Sequence, residues 1–268
     1  METEGIVSHL SKPKIILIDI ETSPIVGYTW GTYDQTVLKV IEPSKIISVA
    51  WKELHSKTTY VKCLSDYTGY KKGIIDDKRL IQEVWKILDD ADIAIAHNGD
   101  SFDFKRLNAR FVWHGLTAPS AYQTIDTLKV AKKHFKFDGN SLNSLGQYFN
   151  LGSKAATGGF SLWTECISGD KSAWNKMKAY NKQDVDLLEK VYLVLRPYQA
   201  NHPNVTLISG GCDGETCPSC QSTSVMKRGL AYTRTGSKQR YQCKDCGSWS
   251  SGGFVKNTLK SLLVKDDE

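Results

Sequence analysis

The sequence lacks the features of a membrane or secreted protein. No apolar run approaches the roughly 20 residues that span a bilayer, and the first residues, METEGIVSHLSKPK, lack the apolar stretch of a secretion signal. Internal repeats and low-complexity tracts are also absent, which argues against solenoid and disordered architectures. These absences predict a soluble, cytoplasmic protein with no membrane partner.

The cysteines do not fit a disulfide framework either. There are seven, an odd number, and four of them form two C-x-x-C pairs, which in a reducing compartment indicate metal binding. With 268 residues, of which 40% are hydrophobic, the chain is long enough for one large domain and a small one. The net charge of +6 mildly favours a polyanionic partner without identifying it.

The first two thirds of the chain predict an α/β fold. Short β-branched runs indicate strands, and apolar residues at helical spacing indicate helices. Strands are predicted at 15–20, 46–51, 58–63, 91–96 and 124–126. Helices are predicted after Asp77 and at 102–113, 128–135, 141–149 and 171–195. Strands first, and then alternating elements, predict a mixed sheet flanked by helices.

The order of these segments predicts a domain organisation. A polar leader covers residues 1–12, and the α/β domain covers residues 13–197. Residues 198–211 contain proline and glycine between periodic segments, which is typical of a linker. A small cysteine-containing domain at 212–256 and a tail at 257–268 complete the chain.

Acidic residues occur in three separate segments of the predicted α/β domain. Asp19 and Glu21 are two apart on a strand, so both side chains leave the same face. Asp103 opens a helix, and Tyr180 and Asp184 are four apart on the last helix, where they share a face. Four converging carboxylates repel one another unless cations lie between them.

Each segment also has an ordinary structural explanation. A D-x-E pair on a strand occurs by chance, Asp103 suits the start of any helix, and a Y-x-x-x-D pair fits a solvated helix face. Their joint occurrence, in this order and in an α/β framework, favours a catalytic metal site.

The three segments together resemble the exonuclease motifs of the DEDD superfamily, tyrosine subtype, over about residues 13–195. Similar motifs occur in the proofreading domains of family-B DNA polymerases and in stand-alone exonuclease-like proteins of bacteria and phages. The matches are D-x-E-T at Asp19, Glu21 and Thr22; N-x-x-x-F-D at Asn98, Phe102 and Asp103; and Y-x-x-x-D at Tyr180 and Asp184. The resemblance implies a ribonuclease-H-like fold and 3′-to-5′ exonuclease activity.

The resemblance also implies a mechanism with two Mg²⁺ or Mn²⁺ ions, which oxygen ligands favour over zinc. By analogy, Asp19 bridges both ions, Glu21 and Asp184 hold the ion on the water side, and Asp103 holds the ion on the leaving-group side. Tyr180 orients the water, because a phenol with an ordinary pKa near 10 is a poor base at neutral pH.

In the resembling polymerases, the positions of Thr22, Asn98 and Phe102 hold a single-stranded 3′ end. For Phe102, core packing is an equal alternative to base stacking. DNA is the first substrate expected and RNA the second, while a non-catalytic adaptor on a vestigial nuclease fold is the alternative from another class. The remaining chain is too short for a polymerase, so any proofreading would act in trans for a separate polymerase or repair protein.

The C-terminal cysteines predict one structural zinc ion. Cys217, Cys220, Cys243 and Cys246 form two C-x-x-C pairs, and four thiolates give a closed tetrahedral site. A segment of this size has too small a hydrophobic core to fold without a bound metal ion. The pattern resembles the zinc ribbons of transposases and transcription factors. Cys212 is an alternative ligand.

Basic residues between the cysteine pairs predict a surface for nucleic acid. They alternate with aromatic residues, as expected of a surface that contacts phosphates and bases, the alternative being a purely structural ribbon. The basic residues are Lys227, Arg228, Arg234, Lys238 and Arg240, and the aromatic residues are Tyr232 and Tyr241.

Overall fold

The computed structural model describes residues 12–152, 159–210 and 216–255, and the chain divides into two units. One unit comprises Lys14–Tyr192, and the other comprises Leu193–Glu268 with Met1–Pro13. Cys212, the leader up to residue 11 and the tail at 257–268 lie outside the described residues. Among the residues described, no helix is both long and apolar enough to cross a membrane.

The larger unit is built on a five-stranded sheet with the strand order β5-β4-β1-β6-β7. Its strands, with the separate pair β2 and β3, are β1 (Ile15–Thr22), β2 (Val26–Tyr28), β3 (Lys39–Glu42), β4 (Ile46–Glu53), β5 (Tyr60–Cys63), β6 (Ile93–Ala96) and β7 (Gln123–Asp126). The central strand β1 is antiparallel to β4 and parallel to β6. The sheet is therefore mixed, as predicted.

Helices connect and flank the strands of this sheet. They are α1 (Lys78–Asp89), α2 (Asp103–Trp113), α3 (Thr127–His134), α4 (Leu142–Tyr148), α5 (Ser161–Ser168) and α6 (Lys171–Leu195). The α/β class is confirmed, and every predicted strand and helix is present with bounds shifted by a few residues. Helix α5 and the β2–β3 pair were not predicted.

Alternation along β1 divides its side chains between a hydrophobic core and the acidic site. Ile16, Ile18 and Ile20 are buried in one cluster with apolar residues of α1 and α2. Burying each such side chain stabilises the fold by about 1.5–3 kcal/mol. Because successive side chains of a strand leave opposite faces, Asp19 and Glu21 lie on the other face, held by a strand that the core fixes.

A buried ion pair ties the start of β4 to the helices. Asp77 precedes α1, as predicted, but its carboxylate does not cap that helix. It instead accepts hydrogen bonds from Arg110 Nε at 2.8 Å and Nη2 at 2.6 Å, and from the backbone N–H of Ile46 at 3.1 Å. His114 Nε2 lies 2.8 Å from the same carboxylate. One carboxylate thus joins β4, α1 and α2.

The β2–β3 hairpin follows directly after the acidic end of β1. Its base is closed by the backbone N–H of Ser23, which donates to the Lys45 carbonyl at 2.8 Å. Its tip is strongly exposed, with Trp30 90% and Tyr33 86% accessible.

The smaller unit contains α7 (Val205–Ile208) and a three-stranded antiparallel sheet. The strands are β8 (Val225–Thr233), β9 (Gly236–Cys243) and β10 (Trp249–Phe254), in the order β10-β9-β8. Its buried cluster consists of cysteines, with Val225 packed against them. A core this small supplies little hydrophobic stabilisation, so other interactions must hold the strands together.

Candidate functional site

Strand β1 and helix α6 bring three carboxylates together in the larger unit. Each of Asp19, Glu21 and Asp184 offers a carboxylate oxygen, and these three oxygens lie within 4.8 Å of one another. Asp184 is only 1% exposed. Like charges this close and this poorly solvated repel one another strongly, so the arrangement favours a bound cation.

The donor set fits a hard divalent cation. Mg²⁺ binds oxygen ligands at about 2.0–2.1 Å, so ligands on opposite sides of one ion are about 4.2 Å apart. The separation of the three carboxylate oxygens, within 4.8 Å, is close to this value. Oxygen-only ligation suits Mg²⁺ or Mn²⁺ and does not suit the softer metals that thiolates and imidazoles select.

Asp103 approaches the same strand from α2. It is the first residue of that helix and is 3% exposed, and its Oδ1 accepts a hydrogen bond from the backbone N–H of Ile20 at 3.2 Å. Ile20 lies between Asp19 and Glu21. The fourth predicted acid is thus anchored to the strand that carries the first two, although it is not part of the group of three.

Tyr180 lies one turn before Asp184 on α6 and remains a neutral phenol. Burial raises the pKa of its hydroxyl, and the negative charges of Asp184, Glu21 and Asp19 raise it further. A hydrogen bond to Asp184 acts in the same direction. Its pKa therefore lies well above the ordinary value near 10, so this hydroxyl is a hydrogen-bonding group and not a base.

Trp163 on α5 contacts the site, although the sequence analysis did not select it. Its indole Nε1 donates a hydrogen bond to Glu21 Oε2 at 3.2 Å. Its ring also meets the Tyr180 ring edge to face, with centroids 6.2 Å apart. One side chain thus orients a candidate metal ligand and supports the candidate water-orienting phenol.

A cleft of about 280 Å³ opens beside these groups. The end of β1 forms one wall and the start of α5 the other. Its lining residues are Thr22, Ser23, Pro24, Phe160 and Trp163. Phe160 is 67% exposed, so an aromatic face is available at the edge of the cleft.

A buried chain of hydrogen bonds fixes Asp19 from behind. Asn181 Nδ2 donates to Asp19 Oδ2 at 2.6 Å, and Ser48 Oγ donates to Asn181 Oδ1 at 2.7 Å. Cys63 Sγ lies 3.3 Å from Ser48 Oγ at the far end. Asn181 is completely buried. The YNKQD segment thus contributes an orienting amide in addition to Tyr180 and Asp184.

The loop between β6 and α2 carries the predicted substrate-binding residues Asn98 and Phe102. Asn98 has a left-handed backbone with φ 68°, and its N–H donates to Asp126 Oδ1 at 2.9 Å. At Gly99 a Cβ atom would lie 2.5 Å from Ala96 Cβ, so the loop packs too tightly for a larger residue. Phe102 is half-buried against the core, and Arg106 lies over its ring. This position is compatible with both predicted roles, core packing and base stacking.

His97 has a structural role. Its Nδ1 lies 2.9 Å from Thr127 Oγ1, and its Nε2 lies 2.9 Å from the Asn140 carbonyl oxygen. Both ring nitrogens are thus engaged with neighbouring loop and helix residues. These contacts fix the end of β6 next to the loop that carries Asn98.

In the smaller unit, the four predicted cysteines form one cluster. Cys217 Sγ lies 3.6 Å from Cys246 Sγ, and Cys220 Sγ lies 3.7 Å from Cys243 Sγ. A disulfide bond would require about 2.05 Å. Four sulfurs around zinc at about 2.3 Å are about 3.8 Å apart by tetrahedral geometry. The spacing therefore fits a zinc site.

The two C-x-x-C segments have the same backbone conformation. The residue after each pair, Gln221 or Gly247, has a positive φ, and its N–H donates to the carbonyl of the first cysteine at 2.8 Å or 3.1 Å. A hydrogen bond from Cys220 lowers the pKa of the Cys217 thiol to about 5, which favours the thiolate that a metal requires.

The predicted basic residues lie on the sheet of the smaller unit. Lys227 and Arg228 belong to β8, Lys238 and Arg240 to β9, and Arg234 to the turn between these strands. All except the half-buried Lys238 are exposed. These five positive charges therefore lie on two strands of the sheet and on the turn that joins them.

Comparisons with known proteins agree with this geometry. A family described as the RNase_H superfamily matches residues 46–196. Among solved structures, the family B DNA polymerase from the hyperthermophilic archaeon Pyrobaculum calidifontis is similar, with a TM-score of 0.51 over 83% of this chain and 12% identity. The match spans 31% of that polymerase, and at this identity it shows a shared fold. No curated protein matches the sequence.

Proposed function

The chain belongs to the RNase_H superfamily, and on that premise we propose that it is a metal-dependent 3′-to-5′ exonuclease that prefers single-stranded DNA. One observation carries the proposal: β1 and α6 place the carboxylates of Asp19, Glu21 and Asp184 within reach of one cation, beside a neutral phenol. The motifs of the tyrosine-subtype DEDD exonucleases occupy these same residues.

The acids have distinct roles in this proposal. Asp19, Glu21 and Asp184 would hold one divalent cation, and Asp103, with Asp19, would hold a second one. A bound divalent cation lowers the pKa of water and neutralises charge on the phosphodiester during in-line attack. The protein contributes the fixed positions of the carboxylates, which β1, α2 and α6 set before substrate arrives.

Three neighbouring side chains position the reacting groups. Tyr180, whose O–H donates to Asp184, orients the attacking water by accepting a hydrogen bond from it. Trp163 holds Glu21 through its indole N–H, and Asn181 holds Asp19 through its amide. Orientation of this kind matters because a misplacement of about 1 Å lowers the rate by about 100-fold.

The cleft beside the acids is the proposed site for the 3′-terminal nucleotide. Thr22 lines it, and Asn98 and Phe102 lie on the loop that leads to Asp103. DNA is preferred because the similar solved structure is a DNA polymerase, and RNA is the alternative.

The smaller unit is the proposed zinc ribbon. Cys217, Cys220, Cys243 and Cys246 hold one structural Zn²⁺, and the basic strands contact the phosphate backbone of the substrate. The proposal rests on the sulfur spacing and on the exposed cations of β8 and β9. Phosphate contacts of this kind predict binding that weakens steeply as salt rises.

Digestion of matched polynucleotides tests the function. Single-stranded DNA, duplex DNA and RNA of one sequence, each labelled at the 5′ end, are incubated with Mg²⁺ or with EDTA. We expect the single-stranded DNA to shorten stepwise from its 3′ end with Mg²⁺ alone. Faster shortening of RNA would identify an exoribonuclease. Intact ends on all three substrates, with Mg²⁺ or Mn²⁺ supplied, would refute the proposal.

A further inference from the structure

One face of the ribbon sheet combines cations and aromatic rings in alternating positions. Lys238, Arg240 and Gln242 are two apart along β9, so their side chains leave the same face. Trp249 on β10 pairs with Gln242, and Phe254 pairs with Lys238. Paired residues of an antiparallel sheet share a face, so both aromatic residues lie on this face too.

The cations and rings of this face are in direct contact. Arg240 Cζ lies 4.7 Å from the centroid of the Trp249 ring, and Lys238 Nζ lies 4.6 Å from that of Phe254. Arg228 joins them from β8, where its Nε donates to Gln242 Oε1 at 3.2 Å. We call this surface the Trp249 face. Its members are Arg228, Lys238, Arg240, Trp249 and Phe254.

The rings of the Trp249 face remain available to a ligand. Trp249 is 47% exposed and Phe254 is 57% exposed, although each has a cation against it. The contact between ring and cation restricts the ring's motion, which lowers the entropy lost when a planar ligand stacks on it.

The two tyrosines predicted from the sequence lie on the opposite face. Tyr241 pairs with Lys227 and Ser250, and Tyr232 pairs with Ser237, so both alternate with the residues of the Trp249 face. Tyr241 also packs close to the backbone of β10, because a Cβ atom at Gly252 would lie 3.0 Å from its ring. Of the two tyrosines on the opposite face, Tyr241 is therefore half-buried, whereas Tyr232 is exposed.

Charge identifies the kind of partner that suits this face. Within residues 216–255 the only acidic residue is Asp245, against six basic residues. The basic residues are Lys227, Arg228, Arg234, Lys238, Arg240 and Lys244. A polyanion complements this charge, and exposed rings beside the cations suit bases that are not already stacked in a duplex.

We propose that the Trp249 face is a base-stacking site for single-stranded nucleic acid, in which Trp249 and Phe254 stack on bases while Arg228, Lys238 and Arg240 contact phosphates. The inference rests on the proposed function, since it assigns the part of the ribbon that grips the substrate. It also makes the ribbon selective for single strands, which phosphate contacts alone do not achieve.

Binding measurements on the full chain test this site. The Asp19→Ala protein is used because it should not digest the nucleic acid. It is titrated with a labelled single strand and with the matched duplex across a salt series. Adding Trp249→Ala and Phe254→Ala should weaken single-strand binding about tenfold or more and leave duplex binding within about twofold. The salt dependence should not change, because the phosphate contacts remain.

Two controls separate a lost stack from a damaged ribbon. Tyr232→Ala removes an exposed ring from the opposite face and should change binding less than about twofold. Trp249→Phe with Phe254→Tyr keeps both rings and should retain single-strand binding. Bound zinc is measured in every variant, and only those with one zinc per chain are compared.

The possible outcomes are distinct. Unchanged single-strand binding after the double substitution, or equal losses for single strand and duplex, would overturn the stacking site. Displacement of the strand by poly-glutamate as effective as by unlabelled single strand would overturn it as well. The proposed chemistry is tested separately with the p-nitrophenyl ester of thymidine 5′-monophosphate, which carries a single nucleotide and no strand for the Trp249 face to bind. Failure to cleave that ester would count against the nuclease and not against the Trp249 face.

Discussion

At the scale of single residues, the acidic site shows how burial decides the role of a titratable group. Tyr180 is surrounded by low-dielectric packing and by the carboxylates of Asp184, Glu21 and Asp19, and each of these raises its pKa. Its hydroxyl is therefore protonated at neutral pH. A group in this state can orient water but cannot accept its proton.

Tyr180→Phe should therefore reduce kcat by about 10- to 100-fold and leave the shape of the pH–rate profile between pH 6 and 9 unchanged. Asp19→Ala should reduce kcat by about 1,000-fold or more, because a charged metal ligand is lost. Rate measurements on 5′-labelled single strand at several pH values decide the matter. Equal losses of kcat in folded Tyr180→Phe and Asp19→Ala proteins would contradict the orienting role. Loss of the basic limb of the pH–rate profile in Tyr180→Phe would contradict it as well.

Asn181→Ala should lower catalytic efficiency by about 10- to 100-fold, because Asp19 loses the amide that orients it. The same variant should also need a higher Mn²⁺ concentration for half-maximal activity. A general loosening of the fold would lower the activity without raising this concentration. Lys176→Ala, an exposed change on the same helix, is the matched control. If the Mn²⁺ requirement were the same in both variants, Asn181 would have only a packing role.

The residues that carry charge could be predicted from the sequence, whereas their supporting partners could not. Asp19, Glu21 and Asp184 stand at spacings that place them on defined faces of a strand and a helix. Trp163 and Asn181 reach the site through the tertiary fold, and nothing in local spacing distinguishes them from core residues. Trp249 and Phe254 were missed for a related reason, because strand register alone brings them beside Arg240 and Lys238.

At the scale of elements, predictions succeeded where a core-facing pattern was long or clear. β1 and β4 carry β-branched runs, and α1 repeats apolar residues at helical spacing over its 12 residues. Helix α5 has no side-chain cap at its start, whereas α3 and α4, which are similarly short, begin after the capping residues Asp126 and Ser141. Strands β2 and β3 were missed because their side chains are mostly exposed and show no alternation.

The Asp77 cluster yields a prediction for the stability of these elements. Burial raises the pKa of this carboxyl, but hydrogen bonds from Arg110, His114 and Ile46 outweigh burial and hold the pKa below its usual value. The unfolded value is about 3.9. A carboxyl with a depressed pKa in the folded state stabilises the fold above the unfolded value, and the stabilisation is lost as the pH falls through the folded value.

Asp77→Asn should therefore lower the free energy of unfolding by about 3 kcal/mol at pH 7, because Arg110 is left buried without its counter-charge. The difference from the original protein should shrink as the pH falls below about 4. Urea unfolding at several pH values measures both. Asp76→Asn, at an exposed neighbour, should cost no more than about 1 kcal/mol. If the difference in free energy of unfolding between Asp77→Asn and the original protein stayed the same at low pH, the stabilisation by Asp77 would not be ionic.

At the scale of the whole molecule, the chain assigns different interactions to its two units. The larger unit contains the acidic site, and the smaller unit contains the four-cysteine cluster and the basic strands. The composition shift and the cysteine spacing predict a separate small domain at the end of the chain, and the four cysteines lie together in the smaller unit. Which side chains share a face of the three-stranded sheet was not predictable, because it depends on the register of β8, β9 and β10.

Cys217→Ser should release zinc, weaken single-strand binding by about tenfold and reduce its salt dependence, because the basic strands lose the metal that holds them. Hydrolysis of the p-nitrophenyl ester of thymidine 5′-monophosphate should stay within about twofold of the original rate. Thr223→Ala, an exposed change between the cysteine pairs, should alter neither property. Full single-strand affinity in a zinc-free variant would show that the ribbon does not help to capture the substrate.

The most direct test of the central claim is an anomalous difference map from crystals soaked in Mn²⁺. The acidic site predicts a peak about 2.2 Å from carboxylate oxygens of Asp19, Glu21 and Asp184, and its disappearance in Asp19→Ala crystals treated identically. A map with no peak at these carboxylates, or an equal peak in the Asp19→Ala crystals, would contradict the claim that this chain builds a metal-dependent nuclease centre.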